Sequence, residues 1–167
     1  MITCEIPPIR MLVLTLTGRC NFKCLYCYAS EQDPIDMTEE TAIAAVALAH
    51  VSKNQFLLQF SGGEPLLQFP LIRKVVDFVE KNHVNAQMQI QTNGALLTKD
   101  IGKWLFDHNV GIGISCDGRP ELMNRLRVSK DGDRSSQKVI QGFQNLGESN
   151  LEAGFTCVVA DGAVEEL

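Results

Sequence analysis

The sequence predicts an α/β fold: a partial (β/α) barrel of parallel strands, similar to a TIM barrel but truncated after about five strands. Apolar runs rich in β-forming residues alternate with helix-like segments along the chain, which predicts parallel strands joined by helices. That alternation alone also fits a doubly wound sheet. The residues suited to chemistry follow the carboxyl ends of the strands, however, where (β/α) barrels carry their sites. Because five strands cannot close an eight-stranded barrel, we expect residues 1–167 to be one incomplete, truncated domain.

The first half of the chain predicts two strands, each followed by a helix. Residues 11–16 are rich in β-formers and end at a Thr-Gly pair, which predicts the first strand. A helix over about 38–52 follows, because Thr38 suits the N-cap and two glutamates favour its first turn. Residues 55–60 form the second predicted strand. Pro70 is tolerated at the start of the next predicted helix, which runs to about residue 82.

The second half repeats the pattern of strand and helix. The same criteria predict strands over residues 86–91, 111–115 and 155–159, and helices over 99–108, 135–146 and 163–167. An asparagine, Asn93, follows the third strand and is expected to be a turn residue that faces the site.

Composition excludes several classes of function. The 167 residues are 45% apolar, enough for a buried core, and carry 15 basic against 20 acidic side chains, a net charge of −5. Without a basic cluster, a nucleic-acid partner has no electrostatic support. The longest apolar stretch, residues 42–49, is too short to span a membrane, and no signal-peptide pattern opens the chain. We therefore expect a cytoplasmic protein with no membrane partner.

Three of the six cysteines, Cys20, Cys24 and Cys27, stand in C-x3-C-x2-C spacing just after the first strand. Clustered cysteines without a secretion signal favour metal binding over disulfides. A cubane iron–sulfur cluster normally takes four thiolates, so three would leave one iron open to a reactive ligand. Arg19 and Lys23 lie in the same loop and are expected to favour the ligating thiolates. A zinc site or an electron carrier remains an alternative, although each normally has four protein ligands.

A glycine pair follows the second strand, in the motif Gly62-Gly63-Glu64. Paired glycines let the backbone approach a ligand closely, and their carbonyl groups can accept hydrogen bonds from an ammonium group. The motif lacks the Gly-Lys-Ser/Thr ending of a phosphate-binding P-loop.

These two motifs together resemble those of the radical S-adenosylmethionine (radical SAM) enzymes. The cysteines match the family's C-x3-C-x-φ-C motif with Tyr26 at φ, and the glycine motif matches its second signature. The resemblance implies a [4Fe-4S] cluster held by Cys20, Cys24 and Cys27, with S-adenosyl-L-methionine on the fourth iron. It implies an oxidoreductase that reductively cleaves this cofactor to a 5′-deoxyadenosyl radical for hydrogen abstraction. No catalytic side chain beyond the cluster is assigned.

The resemblance also implies which residues contact the cofactor. Gly62, Gly63 and Glu64 would contact the methionine amino group, and the backbone of Tyr26 would lie near the adenine. Ser115 and Asp117, at the end of the fourth strand, would face the ribose and the methionine end. Arg125 and Arg127 could pair with a cofactor carboxylate as charged hydrogen-bond donors, and on this ground Arg127 is included as a cofactor-binding residue. The alternative is that both arginines are solvated loop charges.

A finer resemblance covers residues 112–139, which look like the region after the fourth strand in anaerobic sulfatase-maturating enzymes and related peptide-modifying maturases. Those enzymes carry a C-terminal SPASM extension with further clusters. The resemblance implies a peptide or protein substrate and a reductant such as flavodoxin or ferredoxin. Met123-Asn124 stands where those maturases usually have His-Asp. The alternatives are a radical SAM enzyme for a small molecule or cofactor precursor, and a non-catalytic iron–sulfur or zinc-binding fragment.

Overall fold

A computed structural model describes residues 8–149 and 151–159, so the predicted helix over 163–167 lies outside the described residues. Five strands form one parallel sheet, in the order β1-β3-β4-β5-β7, and β2 and β6 form a separate antiparallel pair. The strands are β1 (Met11–Thr15), β2 (Phe22–Cys24), β3 (Phe56–Ser61), β4 (Ala86–Thr92), β5 (Val110–Ser115), β6 (Arg127–Ser129) and β7 (Gly154–Thr156).

Helices connect the parallel strands. They are α1 (Glu39–His50), α2 (Phe69–Lys81), α3 (Lys99–Asp107), α4 (Pro120–Leu126) and α5 (Ser135–Gly147), with a 3-10 helix at Pro65–Gln68. Thr38 and Thr98 cap α1 and α3, since their side chains accept hydrogen bonds from the N–H groups of Thr41 and Ile101. Within the described residues, no helix is both long and apolar enough to cross a membrane.

The core lies on the helix-covered face of the sheet. Along β3, Phe56, Leu58 and Phe60 are buried while the residues between them are only partly buried, as the two-residue period of a strand requires. They belong to the same apolar cluster as Ile72 and Val75 of α2. The opposite face of the sheet is more polar and includes Gln59 of β3 and Gln89 of β4. At the carboxyl ends of these strands it presents Ser61 and Gln91.

The predicted fold class is confirmed. Each of the five predicted strands overlaps an observed one, neighbouring strands of the sheet are parallel, and β1 and β7 are the two edges of an open sheet in the part of the chain that is described. Helix and strand bounds differ by one or two residues from the prediction, except that β7 is shorter and begins at Gly154. This parallel arrangement brings the carboxyl ends of the strands to one edge.

The sequence did not predict α4 or the pair of β2 and β6, which we call the ribbon. Strands of three residues are too short to show a periodicity, and β2 lies inside the cysteine motif. In the ribbon, Lys23 is opposite Val128 and Cys24 is opposite Arg127. The ribbon therefore fixes the cysteine loop to the segment that follows α4.

Candidate functional site

A cavity of about 330 Å³ opens at the carboxyl edge of the sheet. Its walls include the ends of four strands, at Ser61, Gln91, Ser115 and Thr156. The cysteine loop and the ribbon form another wall, with all three motif cysteines lining the space. A larger and more open groove of about 560 Å³ lies between the loop after β4 and helix α5, but it contains none of the predicted site residues.

The three motif cysteines are free thiols that are half-buried in the cavity wall. Cys24 belongs to β2, whose pairing with β6 orients it toward the cavity. The sulfur of Cys20 accepts a hydrogen bond from the N–H of Phe22, with 3.3 Å between sulfur and nitrogen. Among residues 8–149 and 151–159, no three histidine, cysteine, aspartate or glutamate side chains are grouped so as to hold a single metal ion.

Burial dominates the acidity of two of these thiols. It raises the pKa of Cys24 to about 11, against the opposing effect of the Arg127 guanidinium. It also raises the pKa of Cys20, against the hydrogen bond from Phe22. The positive charges that lower the pKa of these thiols are Lys130 for Cys20 and Arg127 for Cys24, rather than the expected Arg19 and Lys23. Arg19 is paired with Asp36 at 2.6 Å, and Lys23 is exposed on the other side of β2.

The glycine motif clamps the chain that leads into the cysteine loop. The N–H of Gly63 donates to the carbonyl of Thr17 at 2.8 Å, and the N–H of Glu64 donates to the carbonyl of Arg19 at 2.9 Å. Gly62 has a φ of 141°, a conformation that favours glycine. A Cβ on Gly63 would lie 2.3 Å from the Arg19 carbonyl oxygen. The close approach thus fixes two chain segments to each other, while both glycines also line the cavity.

We expect Gly63→Ala to destabilise the fold by about 1–3 kcal/mol, because the added methyl group overlaps backbone that cannot turn aside. Iron uptake should fall with it, since the clamp positions the cysteine loop. Urea denaturation and iron content measure the two effects. Gly147→Ala is the matched control, because a Cβ there meets nothing within 4 Å. Equal stability of the two variants would contradict this account of the clamp.

Glu64 is fully buried, and its carboxylate is turned into the protein. It accepts hydrogen bonds from the N–H of Leu66, the hydroxyl of Thr92 and the N–H of Asn93, at 3.1, 2.7 and 2.8 Å. Burial raises the pKa of this carboxyl, although the three donors act against the shift. The carboxylate is therefore not among the groups that line the cavity, and the predicted contact of the motif with the methionine amino group, which concerned its backbone carbonyls, stays a prediction. It ties the glycine motif to the end of β4.

Asn93 lies at the cavity, as predicted, and does more than form a turn. Its side-chain amide donates to the side-chain oxygen of Asn21 at 2.8 Å and lies 3.8 Å from the Cys20 sulfur. Its own N–H is held by Glu64. A chain of contacts therefore runs from the glycine motif through Asn93 to the first motif cysteine.

A second buried group joins the cysteine loop to the segment after β5. Asp117 is fully buried and accepts two hydrogen bonds from Arg127, at 2.7 and 3.0 Å. It also accepts one from the hydroxyl of Tyr26 and one from the N–H of Val158, the latter at 3.0 Å. The Arg127 guanidinium lies over the Tyr26 ring, 5.5 Å from its centre. Four separate chain segments thus meet at one carboxylate.

These contacts decide the charge states of the group. Burial raises the pKa of a carboxyl, but the bonds from Arg127 and Tyr26 outweigh it and hold the pKa of Asp117 below its usual value. Burial, and then the bond to Asp117, raise the pKa of the Tyr26 hydroxyl. At neutral pH, Asp117 is therefore a carboxylate, Arg127 a charged guanidinium and Tyr26 a neutral phenol.

The predicted cofactor-binding residues divide into two sets. Tyr26, Gly62, Gly63, Ser115 and Arg127 line the same cavity as the three cysteines. Glu64 and Asp117 are buried behind that lining, and their predicted contacts with the cofactor stay predictions. Arg127 is buried, which excludes the alternative of a solvated loop charge for this residue.

Sequence reasoning missed Gln91. Its amide donates to the hydroxyl of Ser115 at 3.1 Å, and its carbonyl oxygen accepts from Thr156 at 3.3 Å, so it links three strand ends. A signal was present in the sequence. Gln87, Gln89 and Gln91 alternate with buried residues along β4, which predicts a polar row on one face of the strand.

The donor set fits an iron–sulfur cluster with an open iron. Three free thiols and the Arg127 guanidinium line the wall made by the cysteine loop and the ribbon, and the strand ends that line the same cavity carry glycine backbone and hydroxyl groups. The thiolates of a cluster bind different irons, so three thiols that are not grouped around a single point suit a cluster better than a single ion. Cys20, Cys24 and Cys27 are the residues that would hold it.

Comparisons with known proteins bear on this site. The sequence model of the radical SAM superfamily matches residues 14–166. The chain is 39% identical over 152 residues to an uncharacterized protein of Methanocaldococcus jannaschii, which covers 90% of this chain and 53% of that protein. It is 27% identical over 173 residues to the cysteine-type anaerobic sulfatase-maturating enzyme of Clostridium perfringens, covering 96% of this chain and 47% of that enzyme.

A solved structure has the same fold. Native anSMEcpe with bound AdoMet and Cp18Cys peptide superposes with a TM-score of 0.81 at 26% identity, covering 92% of this chain and 44% of that one. The chain thus spans about half the length of the curated relatives it matches.

Proposed function

Because this chain belongs to the radical SAM superfamily, we propose that it holds a [4Fe-4S] cluster and S-adenosyl-L-methionine in the cavity at the carboxyl edge of the sheet. When bound, this pair supplies a reductive cleavage that yields methionine and a 5′-deoxyadenosyl radical for hydrogen abstraction. The observation that carries the proposal is a single cavity lined by three free cysteines and by both glycines of the glycine motif. Residues 1–167 would be part of the core domain of such an enzyme.

The chain's own residues bind and orient. Cys20, Cys24 and Cys27 supply the thiolates, and the backbone of Gly62 and Gly63 faces the same space, with carbonyl groups suited to an ammonium group. Glu64 positions that backbone, and Asn93, whose N–H it binds, contacts the sulfur of Cys20.

Two further polar side chains that line the cavity suit the rest of the ligand. Ser115, held by Gln91, offers a hydroxyl to a ribose. Arg127 uses one edge of its guanidinium to bind Asp117. Because Arg127 lines the cavity, its remaining N–H groups can donate to the carboxylate of the bound cofactor. Asp117 is then a positioning residue that acts through Arg127 and Tyr26.

We propose a peptide or protein as the substrate. Support comes from the similarity to the cysteine-type anaerobic sulfatase-maturating enzyme and from the peptide bound in the similar solved structure. Tyr28 lines the cavity and is 87% exposed, so a residue of a larger molecule could reach the cavity along this side chain. A small molecule or cofactor precursor is the other substrate class, and it would use the same radical chemistry.

The direct test is anaerobic reconstitution with iron and sulfide, followed by addition of dithionite and S-adenosyl-L-methionine. We expect a bound iron–sulfur chromophore and formation of 5′-deoxyadenosine that requires both additions. Liquid chromatography measures the product, and an iron and zinc assay identifies the metal. A control without dithionite should give no product.

Two results would contradict the proposal. A reconstituted cluster that forms no 5′-deoxyadenosine would show that this chain is a non-catalytic iron–sulfur module. Zinc that resists replacement by iron would assign the cysteines to a zinc site.

A further inference from the structure

The two faces of the ribbon differ in chemistry. On the cavity face lie Phe22, Cys24 and Arg127, which line the cavity. On the other face, Lys23 and its cross-strand partner Val128 are exposed. This division follows from the two-residue period of a strand, which sends successive side chains to opposite faces.

The outer face extends beyond the ribbon strands at both ends. Leu25 follows β2 and is 70% exposed, an unusual environment for leucine, and Val128 is 41% exposed. Lys130 follows β6 and is also exposed. Hydrogen bonds from Leu25 to Leu126 and from Lys130 to Asn21, at 2.8 and 3.0 Å, continue the pairing of the two strands. We call Lys23, Leu25, Val128 and Lys130 the outer patch.

The outer patch is cationic in a chain whose net charge is −5. Within the described residues, neither Lys23 nor Lys130 forms an ion pair with an acidic side chain. The two acids in the turn after β6, Asp131 and Asp133, are both paired with Lys138, the second at 3.4 Å. The patch thus combines two available ammonium groups with an exposed apolar centre, which is the composition of a small polar interface.

The position of the patch connects it to the proposed chemistry. Cys24 lies between Lys23 and Leu25 in sequence and points to the opposite side. One layer of backbone therefore separates the patch from a proposed cluster ligand. A molecule bound at the patch would be near the cluster without entering the cavity, where the cofactor and the substrate would bind.

We propose that the outer patch docks an acidic protein that donates one electron to the cluster. The inference rests on the proposed function, since that chemistry needs a reduced cluster. In the step, one electron leaves the reduced carrier, which is oxidised, and enters the cluster, which is reduced; no bond forms or breaks. Charge complementarity favours an acidic partner and accelerates its encounter with the patch.

Two other occupants fit the patch less well. A second copy of the chain, joined by a two-fold axis, would bring Lys23 and Lys130 against the same lysines. A nucleic acid would need a broader basic surface than two lysines on an acidic chain. An acidic carrier meets neither obstacle.

The test compares two charge reversals of equal size. Lys23→Glu with Lys130→Glu changes the patch. Lys53→Glu with Lys81→Glu changes two exposed lysines, one just after α1 and the other the last residue of α2, near the amino ends of β3 and β4. Flavodoxin serves as the acidic probe. Its binding to the cluster-free and the reconstituted protein is measured by titration calorimetry at low and high salt. Stopped-flow absorbance follows cluster reduction by flavodoxin hydroquinone and, separately, by dithionite.

We expect the patch reversal to weaken flavodoxin binding and slow reduction by flavodoxin at least about tenfold at low salt, with less effect at high salt. The control reversal should change both by less than about twofold, since charges beyond a Debye length are largely screened. At high salt, where surface charges are largely screened, dithionite should reduce all three proteins at one rate. Equal effects of the two reversals on flavodoxin, or an altered oligomeric state without altered flavodoxin binding, would overturn the proposed dock. If dithionite does not reduce the unaltered protein, that result would instead count against the proposed function. The binding of flavodoxin to the cluster-free protein would still test the docking site.

Discussion

Cys24→Ala is expected to remove the cluster from the reconstituted protein. Cys24 is one of three thiols in the cavity wall, and the described residues offer no fourth grouped with them to replace it. Loss of an outer-shell partner of a metal ligand already costs about 10–100-fold in affinity, so loss of a ligand should cost at least as much. Bound iron should fall from about four per chain to near zero. Formation of 5′-deoxyadenosine should fall below detection with it.

Cys116→Ala is the matched control for this variant. Cys116 is also a half-buried free thiol, but it contacts the sulfur of Met123 at 3.7 Å and does not line the cavity. Its replacement should leave the iron content within error of the unaltered protein. Unchanged iron in Cys24→Ala, or an equal loss in both variants, would show that the three motif cysteines are not the cluster ligands.

The elements that the sequence predicted best are those with strong local signals. The β-forming run before the cysteine motif and the capped start of α1 are found within one or two residues of their predicted bounds. The ribbon had no such signal, because its two strands are three residues each and are separated by about a hundred residues. Pairing between distant short strands depends on tertiary contacts, which a local pattern does not record.

The site divides along the same line. Spacing alone identified the cysteines and the glycine pair, which indeed line one cavity. The spacing of residues in the sequence could not predict which way the carboxylate side chains of Glu64 and Asp117 point. Glu64 and Asp117 turn inward because each meets several donors there, and a buried carboxylate is stabilised only where such donors surround it. Both residues therefore hold the site together from behind rather than line it.

Asp117→Asn is expected to destabilise the folded chain by about 3–5 kcal/mol at neutral pH. The substitution keeps the size of the side chain but leaves the buried guanidinium of Arg127 without its counter-charge, which is the costly way to break a buried ion pair. Urea denaturation measures the loss. Asp107→Asn is the control, since Asp107 pairs with Lys103 on the exposed side of α3 and such pairs contribute about 0–1 kcal/mol.

A double variant keeps this prediction decisive if the single variant does not fold. Asp117→Asn with Arg127→Met removes both charges, and the asparagine oxygen can still accept from Tyr26 or Val158. Replacing both members of a buried pair is often close to neutral, so the double variant should be more stable than Asp117→Asn alone. If the folded double variant takes up iron normally, the pair is needed for the fold. If it folds but takes up little iron, the pair is needed for the site.

The pH dependence provides an independent check on the same pair. Because the pKa of Asp117 is lower in the folded state than the usual value for an aspartate, its ionised form stabilises the fold. That stabilisation is fully present above about pH 4 and is lost as the pH falls through the folded-state pKa. The difference in unfolding free energy between the unaltered protein and Asp117→Asn should therefore be constant from about pH 5 to 7 and shrink below pH 4. A difference that instead grows as the pH falls would mean that Asp117 is protonated in the fold, and the ion pair with Arg127 would then be wrong.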